Sequence, residues 1–257
     1  MQARRFPFRQ GWQWVIEGAR LWRRNPALLI FASFTYMLLL LLISAVPTIG
    51  QPLAYLLMPV MSLGLLNTCR AVDLGRKTGP DILFSGFRPK LLPSLMAIGG
   101  LYFIGTMIVV YLTVPFDDGA LMRILTGAER FDPEGELPDF GNALIAGSLM
   151  SLPVLAAYWF APVLAGWWQV PAPKAMFFSL YACLQNWRPL LAFGLTLLLM
   201  LGFLPRLLVS VAAMIAPLFS TLLTLVLPLI LLPITFASFY ANARDVFGWD
   251  QDAPRAG

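Results

Sequence analysis

The sequence predicts an all-α, polytopic membrane protein with six transmembrane helices. We expect these as three hairpin pseudo-repeats, each preceded by an interfacial amphipathic helix. Hydrophobic residues make up 59% of the 257 residues and charged residues 12%, whereas soluble domains average about 45–50% and about 25%. The apolar residues are grouped in blocks of about 20, the length that crosses a hydrocarbon core of about 30 Å.

The first element is a basic, amphipathic segment over residues 1–26. Its apolar side chains recur at helical spacing, at Phe8, Trp12, Val15, Ile16, Ala19 and Trp22. Polar and basic residues fill the other positions, which is the pattern of a helix lying in the membrane interface. A cleaved signal peptide is disfavoured, because the basic region is long and the next apolar block is long enough to span.

The next elements are the six apolar blocks. The predicted spans cover residues 27–46, 52–68, 91–115, 142–167, 189–208 and 218–240. Between them lie two basic segments, an acidic loop and, at the end, a polar tail, over residues 69–90, 168–188, 116–141 and 248–257. Pro205-Arg206 interrupts the stretch 201–217, so this stretch either ends span five or forms a re-entrant piece.

The basic residues set the predicted orientation. With the N-terminus inside, the inner segments hold 15 of the 18 Lys and Arg residues. The outer segments then hold only Arg123, Arg130 and Arg206. By the positive-inside rule, this bias places both termini in the cytoplasm of a bacterial cell, with the chain in its inner membrane.

Short sequence echoes predict an internal repeat. Residues 22–29, 87–92 and 186–191 each place an aromatic residue and Arg beside a Pro that opens a span. The ends of the even-numbered spans also echo, at residues 59–64, 162–166 and 233–238. We therefore predict one integral membrane domain with pseudo-repeats over residues 1–77, 78–168 and 169–247. The alternative is chance, since Arg-Pro is common where chains enter membranes.

Three short motifs are distinctive: Gly11-Trp12-Gln13-Trp14 with Gly18, Arg24-Asn25-Pro26, and Trp187-Arg188-Pro189. With these motifs the chain resembles an uncharacterised family of bacterial inner-membrane proteins, mostly from beta-proteobacteria. The resemblance covers the whole chain and implies a six-span inner-membrane protein without supplying an activity. More distantly, the chain looks like the membrane domain attached to some glycerophosphodiester phosphodiesterases, but the soluble catalytic barrel of those enzymes is absent.

The composition argues against several chemistries. The chain has no histidine, which removes the commonest general base and metal ligand. The predicted spans contain no Asp, Glu or Lys, which argues against a carboxylate proton relay. We expect no catalytic residues, no metal, no cofactor and no nucleic-acid partner. Cys69 and Cys183 are interpreted as small, unreactive side chains.

Two features within the spans have structural and functional interpretations. Candidate helix breaks lie at Pro153, Pro162, Pro228 and Pro233, where ordinary kinks are favoured over a substrate site made of freed carbonyls. Rows of small residues at Ala157, Ala161 and Ala165 and at Ala237 and Ala241 favour close helix packing. A dimer face is the alternative.

The functional hypothesis concerns the membrane surface. Candidate headgroup or interface residues are Trp12, Trp22, Arg23, Arg24, Arg88, Trp187 and Arg188, which would attract anionic phospholipid. The first hypothesis is a non-enzymatic lipid- or envelope-associated protein, with a homo-oligomer or another membrane protein as further partner. The second is a small-solute transporter with a polar cavity lined by groups such as Asn67, Thr68, Tyr102, Tyr158 or Asn186. A membrane-embedded enzyme comes third.

Overall fold

A computed structural model of the chain describes residues 3–125 and 141–248. Its helices are α1 (Gln10–Arg24), α2 (Pro26–Ser44), α3 (Gly50–Asp73), the 3₁₀ helix Pro80–Phe87, α4 (Leu92–Asp117), α5 (Ala120–Leu125), α6 (Gly141–Trp159), α7 (Ala161–Trp168), α8 (Ala172–Gln185), α9 (Trp187–Leu198), a π turn (Leu199–Phe203), α10 (Leu204–Ile215) and α11 (Pro217–Phe247). Most of the predicted acidic loop and nearly all of the polar tail lie outside the described residues.

Six helical stretches are long and apolar enough to cross a membrane within the described residues, as the sequence predicts. They are Pro26–Ser44, Gly50–Asp73, Leu92–Asp117, Gly141–Trp168, Trp187–Ile215 and Pro217–Phe247. Spans two and six are longer than predicted, because hydropathy marks the apolar part of a helix and its hydrogen bonds continue into polar turns. Span five is longer because the helix continues past Pro205-Arg206 through an apolar stretch to Ile215. The α-helical class and the six candidate spans are confirmed.

Local sequence determines the boundary between α1 and span one. The Asn25 side chain accepts a hydrogen bond from the Leu28 backbone N–H at 3.2 Å, and Pro26 occupies the first turn. An N-cap oxygen satisfies a backbone donor that a helix leaves unpaired, and proline has no N–H to lose at that position. The Asn25-Pro26 pair therefore ends α1 and starts α2 within two residues.

Three short helices surround one end of the bundle, and we call α1, the 3₁₀ helix and α8 the collar. We call the end that carries them the terminal end, and the other the loop end. The 3₁₀ helix packs on α3, α8 packs on α6 and α7, and α1 packs on α9 and α11. The 3₁₀ helix and α8 thus each contact the hairpin that precedes them in the chain. The helix α1, which precedes all three hairpins, contacts the last one.

Small residues allow this close packing. A Cβ atom at Gly18 of α1 would lie 2.7 Å from the Ile234 carbonyl oxygen. A Cβ atom at Gly86 of the 3₁₀ helix would overlap the Val60 carbonyl oxygen in the same way. Ile234 and Val60 each follow the proline of an echoing segment. These matching contacts agree with the predicted repeat, and the origin of the units as copies stays a prediction.

Span four is broken at Phe160, between α6 and α7. The Ser179 hydroxyl of α8 accepts a hydrogen bond from the Phe160 N–H at 2.8 Å and donates one to the Ala156 carbonyl at 2.7 Å. In a regular helix those two backbone groups would bond to each other. The inserted hydroxyl, with Pro162 in the next turn, accounts for the break.

The other three predicted breaks lie within continuous helices. Pro153 lies within α6, and Pro228 and Pro233 lie within α11. Neighbouring helices and local adjustments commonly accommodate proline in membrane helices. Of the four predicted breaks, only Pro162 adjoins an interruption of the helix.

Replacing Ser179 with alanine is expected to lower the free energy of unfolding by about 2 kcal/mol, because two buried backbone groups lose their bridge. Unfolding in mixed micelles with increasing dodecyl sulfate, followed by tryptophan fluorescence, measures this. The matched control is Ser220→Ala, since the exposed Ser220 hydroxyl bonds only to the Pro217 carbonyl of its own helix. Equal stability of the two variants would mean that the backbone bond re-forms directly.

Span five continues as one helical stretch through Leu201 and Pro205 to Ile215. The π turn Leu199–Phe203 precedes Pro205, so the wider turn accommodates the missing proline N–H. Ala216 is extended, and α11 begins at Pro217. Residues 201–217 therefore belong to spans five and six and the link between them, and the re-entrant alternative is not what the structure shows.

Packing is dense at the terminal end and sparse at the loop end. In span six the buried residues all lie between Pro233 and Val246, in the half next to the terminal end. In span two all of them except Gly50 lie between Pro59 and Val72, toward the same end. Near the loop end, Met214 and Ile215 are 88% and 73% exposed. The hairpins are thus held together mainly in the half that carries the collar.

Candidate functional site

An ion network joins three helices at the terminal end. Arg244 of α11 contacts Asp73 of α3 at 3.2 Å, Asp245 at 3.0 Å and Glu17 of α1. Arg24 adds a second contact to Asp73 at 3.0 Å. The guanidinium of Arg244 therefore bridges carboxylates from three helices, an arrangement that suits its planar array of donors.

Neutral donors complete this network. The Trp14 indole N–H and the Gln10 amide each donate to the Asp245 carboxylate at 3.0 Å. The Tyr240 hydroxyl donates to Asp73 at 2.9 Å. Buried charges need such partners, because each loses its hydration on leaving water. A cavity of about 220 Å³ opens beside the network, and the charges that line it largely pair with one another.

The sequence analysis missed the ion network. Asp73 follows the predicted end of span two by five residues, and Arg244 follows that of span six by four. Such charges look like ordinary headgroup contacts when each is considered alone. The available signal was that Glu17 is the single carboxylate of the basic segment 1–26 and that Asp73 is one of two, with Asp81, in the basic segment 69–90.

Next to the ion network, the even-numbered spans meet in what we call the seal. The Trp167 indole N–H donates to the Asn67 carbonyl at 2.7 Å, and the Trp167 ring meets Tyr240 edge-on at 6.2 Å. Asn67 also donates to Ser85 of the 3₁₀ helix at 2.8 Å. The seal therefore links spans two, four and six and the 3₁₀ helix to one another at the terminal end.

A cavity of about 190 Å³ lies between spans one, two, four and six, and we call it the central cavity. Its walls are mostly apolar and aromatic, and they consist of Tyr36, Met58, Ser62, Leu65, Leu66, Leu155, Tyr158, Trp159, Phe160, Pro162, Val163, Phe236, Phe239 and Ala243. With a rise of about 1.5 Å per residue, Tyr36 lies about 15 Å along span one from its start. The cavity therefore begins near the middle of the membrane and extends toward the terminal end, as far as Ala243 of span six.

Each collar helix has two different faces. On α8, the buried face consists of small residues, Ala172, Ala175, Ser179, Ala182 and Cys183. Its outer face carries Phe177, Tyr181 and Leu184, which are 65%, 52% and 63% exposed. The 3₁₀ helix likewise buries Leu83 and Gly86 and exposes Phe84 and Phe87. The collar thus presents aromatic side chains outward, close to basic residues.

On α1 the sequence predicted a single apolar face, and the structure divides it. Val15 is buried against the bundle together with Gly11, Trp14, Gly18 and Leu21. Trp12 and Ile16 face outward and are 43% and 47% exposed. The cause is the pair of glycines seven residues apart, Gly11 and Gly18, which lets α1 approach the backbones of α9 and α11 closely along one face. The apolar pattern alone does not reveal this face.

The predicted interface residues fall into two groups. Five are exposed in the collar or at the starts of spans, namely Trp12, Arg23, Arg88, Trp187 and Arg188. The Arg188 guanidinium lies 5.4 Å from the centre of the Trp187 ring. Arg24 is exposed but bonded to Asp73. Trp22 is only half-buried, but its indole nitrogen is inside the protein, without a hydrogen-bond partner among the described residues.

Four of the five polar groups proposed for a transporter serve other contacts. Asn67 belongs to the seal, and the Thr68 hydroxyl donates to the Gly64 carbonyl. The Asn186 amide holds the N-terminal segment by bonding the Phe6 N–H and the Arg4 carbonyl. Tyr102 stacks on Tyr158 with ring centres 4.4 Å apart. Of the five, only Tyr158 lines the central cavity.

The predicted small-residue rows and cysteines lie inside the chain. Ala161, Ala165, Ala237 and Ala241 are buried, and Ala157 is half-buried, so these rows pack within one molecule and offer no dimer face. Both cysteines are free and buried. Burial raises the pKa of the Cys183 thiol to about 12, so this thiol stays protonated and unreactive at neutral pH.

Comparison with known proteins adds one relative. The chain is 34% identical over 245 residues to a probable inner membrane protein of Burkholderia thailandensis, and the match covers 93% of this chain and 91% of that protein. The chain belongs to the family of that protein. Together with the six candidate spans, this makes it a multi-pass inner-membrane protein.

No protein-family model and no solved structure matches the chain. The distant resemblance to the membrane domain of glycerophosphodiester phosphodiesterases therefore has no support from these comparisons. Within the described residues, no group of three or more His, Cys, Asp or Glu side chains is placed to hold a metal ion.

Proposed function

We propose that the protein is a non-enzymatic, lipid-binding protein of the bacterial inner membrane whose collar binds anionic phospholipid. One observation carries the proposal: each collar helix buries one face against the bundle and exposes aromatic side chains near basic ones. Aromatic rings favour the headgroup level of a bilayer. Lys and Arg near an anionic membrane surface contribute about 1 kcal/mol each.

The third collar helix shows this arrangement most fully. Lys174 lies in its first turn and Arg188 three residues after its end, and both are exposed. Phe177 and Tyr181 point outward on the same helix, one turn apart. Rings that enter the interface would hold the two cationic groups at the depth of lipid phosphates. This geometry supports headgroup binding more than simple anchorage, which needs no charge.

The proposed orientation places the terminal end in the cytoplasm. The basic residues support it, because 15 of 18 then lie on the inner side. Anionic lipids of that leaflet would face the exposed Arg23, Arg88 and Arg188. Under the same proposal, the three units are copies of one ancestral hairpin, which would explain why α1 and the 3₁₀ helix meet equivalent carbonyls at Ile234 and Val60.

A small-solute transporter is the second candidate, because the central cavity reaches the middle of the membrane. Its walls are mostly apolar, and the Tyr158 hydroxyl and the Trp159 indole nitrogen are its buried polar groups without a hydrogen-bond partner among the described residues. A polar solute would therefore lose hydration and gain few partners in return. The seal also lies between this cavity and the terminal end. The geometry therefore supports a lipid ligand over a polar one.

Replacing Arg23, Arg88 and Arg188 with glutamine is expected to weaken the retention of phosphatidylglycerol about a hundredfold. Three charges at about 1 kcal/mol each give about 3 kcal/mol, and each 1.4 kcal/mol is about tenfold. Native mass spectrometry of protein from vesicles of phosphatidylethanolamine and phosphatidylglycerol measures the bound lipids. Raising the salt concentration should reduce the preference of the wild type as well.

The control is Arg206→Gln, which removes an exposed charge far from the collar in span five. This variant should keep the wild-type lipid preference. If the triple variant also keeps it, the collar does not select anionic lipid and the proposal fails. Retention of a small polar molecule in place of lipid would favour the transporter and call for flux assays in liposomes.

A further inference from the structure

We infer that the central cavity is a second lipid site, which takes an acyl chain of a phospholipid entering from the loop end. This inference deepens the proposed lipid-binding function and rests on it, but it concerns residues that the collar does not share. Its ligand is the apolar chain rather than the headgroup.

The walls of the cavity determine the class of ligand. Phe236, Phe239, Leu65 and Val163 present only carbon to the space, and Met58 offers a flexible thioether. Aromatic packing fixes the shape of the wall: the Tyr36 and Phe236 rings meet at 5.4 Å. A dry cavity of roughly 150 Å³ with such walls already binds small apolar molecules, so about 190 Å³ is ample for the end of an acyl chain.

The route into the cavity is set by packing at the two ends of the bundle. At the terminal end the seal ties Asn67, Trp167 and Tyr240 together, and Tyr240 is bonded to the ion network. Toward the loop end the hairpins separate, and Leu155 at the wall of the cavity is 38% exposed. The accessible side is therefore the half-membrane that the collar does not face.

The surroundings determine the occupant. The mouth of the cavity opens among membrane-spanning helices, so the molecules that meet it are lipid tails. Leaving such a space empty would forfeit dispersion contacts along its whole lining. A polar solute would have to cross hydrocarbon to reach it. An acyl chain fills the space without exposing a polar group, and its headgroup stays at the loop-end surface.

Photocrosslinking tests this assignment in reconstituted vesicles. The probe is a phosphatidylcholine with a diazirine at the end of one chain, added to vesicles of phosphatidylethanolamine and phosphatidylglycerol. We expect adducts on cavity residues such as Tyr158 and Phe239, mapped by mass spectrometry of peptides. Ser62→Phe places a ring in the cavity and should reduce these adducts about tenfold, equivalent to about 1.4 kcal/mol.

The matched control is Ser151→Phe. The hydroxyls of Ser62 and Ser151 each donate to the carbonyl three residues earlier in their own helix, but Ser151 does not line the cavity. It should leave the cavity adducts unchanged. A probe with its diazirine beside the headgroup requires no variant, and it should label residues near the loop end in place of Tyr158. Cavity adducts that persist in Ser62→Phe, or adducts only on outward-facing residues, would overturn the inference.

The two proposals fail separately. Ser62→Phe should lose cavity adducts but keep the preference for phosphatidylglycerol. The triple arginine variant should show the reverse. A wild-type protein without a preference for phosphatidylglycerol but with labelled cavity residues would contradict the headgroup site and support the cavity site.

Discussion

Replacing Arg244 with alanine is expected to lower the free energy of unfolding by about 3 kcal/mol, the largest effect of any single charge in the described residues. The substitution leaves Asp73, Asp245 and Glu17 without their shared cation. Removing one partner of a buried ion pair costs about 3–5 kcal/mol. The low end applies here, because the Arg244 side chain is 25% exposed.

Dodecyl sulfate unfolding followed by tryptophan fluorescence measures the effect. Arg23→Ala is the control, because Arg23 lies in the same region but is exposed; it should change stability by less than about 0.5 kcal/mol. Arg244→Lys should recover only part of the loss, because an ammonium group cannot reach three carboxylates with the fixed fork of a guanidinium. Wild-type stability of Arg244→Ala would show that water already screens the network.

Replacing Gly64 with alanine is expected to destabilise the protein by about 3 kcal/mol and to detach the 3₁₀ helix from α3. A Cβ atom at Gly64 would overlap the carbonyl oxygen of Leu83. That neighbour is backbone and cannot rotate away, so the two elements must separate. Overpacking a close contact costs about 1–3 kcal/mol, and more when backbone has to move.

Gly194→Ala is the matched control, because a Cβ atom there would meet nothing within 4 Å. Alanine is the better helix former by about 1 kcal/mol, so this variant should be as stable as the wild type or more so. Protease cleavage between residues 74 and 90 provides a second readout, and it should accelerate only in Gly64→Ala. If both variants cleave at the wild-type rate, the 3₁₀ helix is held by other contacts.

Much of the fold could be predicted from the chain itself. Blocks of about 20 apolar residues must cross a membrane as helices, because hydrocarbon offers no partner to an unpaired backbone group. The Asn25-Pro26 cap fixes a helix boundary from local chemistry alone. Exposed aromatic and basic residues of the collar, such as Trp12 and Arg23, were also recognised, since their exposure follows from residue type.

The site depended on information that no local pattern contains. Ser179 looks like an ordinary helix residue, yet its hydroxyl replaces a backbone bond 23 positions earlier in the chain. Trp22 fits an interfacial pattern, yet its neighbours cover its nitrogen. The central cavity likewise exists only because side chains from four spans fail to fill the space between them.

The sequence by itself determined that this protein is an α-helical membrane protein with six spans. An apolar segment long enough to cross the membrane must pair its own backbone groups as a helix, and its length and composition can be read from the chain. The tertiary structure alone decided that Arg244 pairs with Glu17 and Asp73, that the seal forms between the even-numbered spans, and which faces of the collar helices remain exposed. Those properties depend on the close approach of helices. Contacts between residues that are distant in the sequence do not produce a periodic pattern from which they could be predicted.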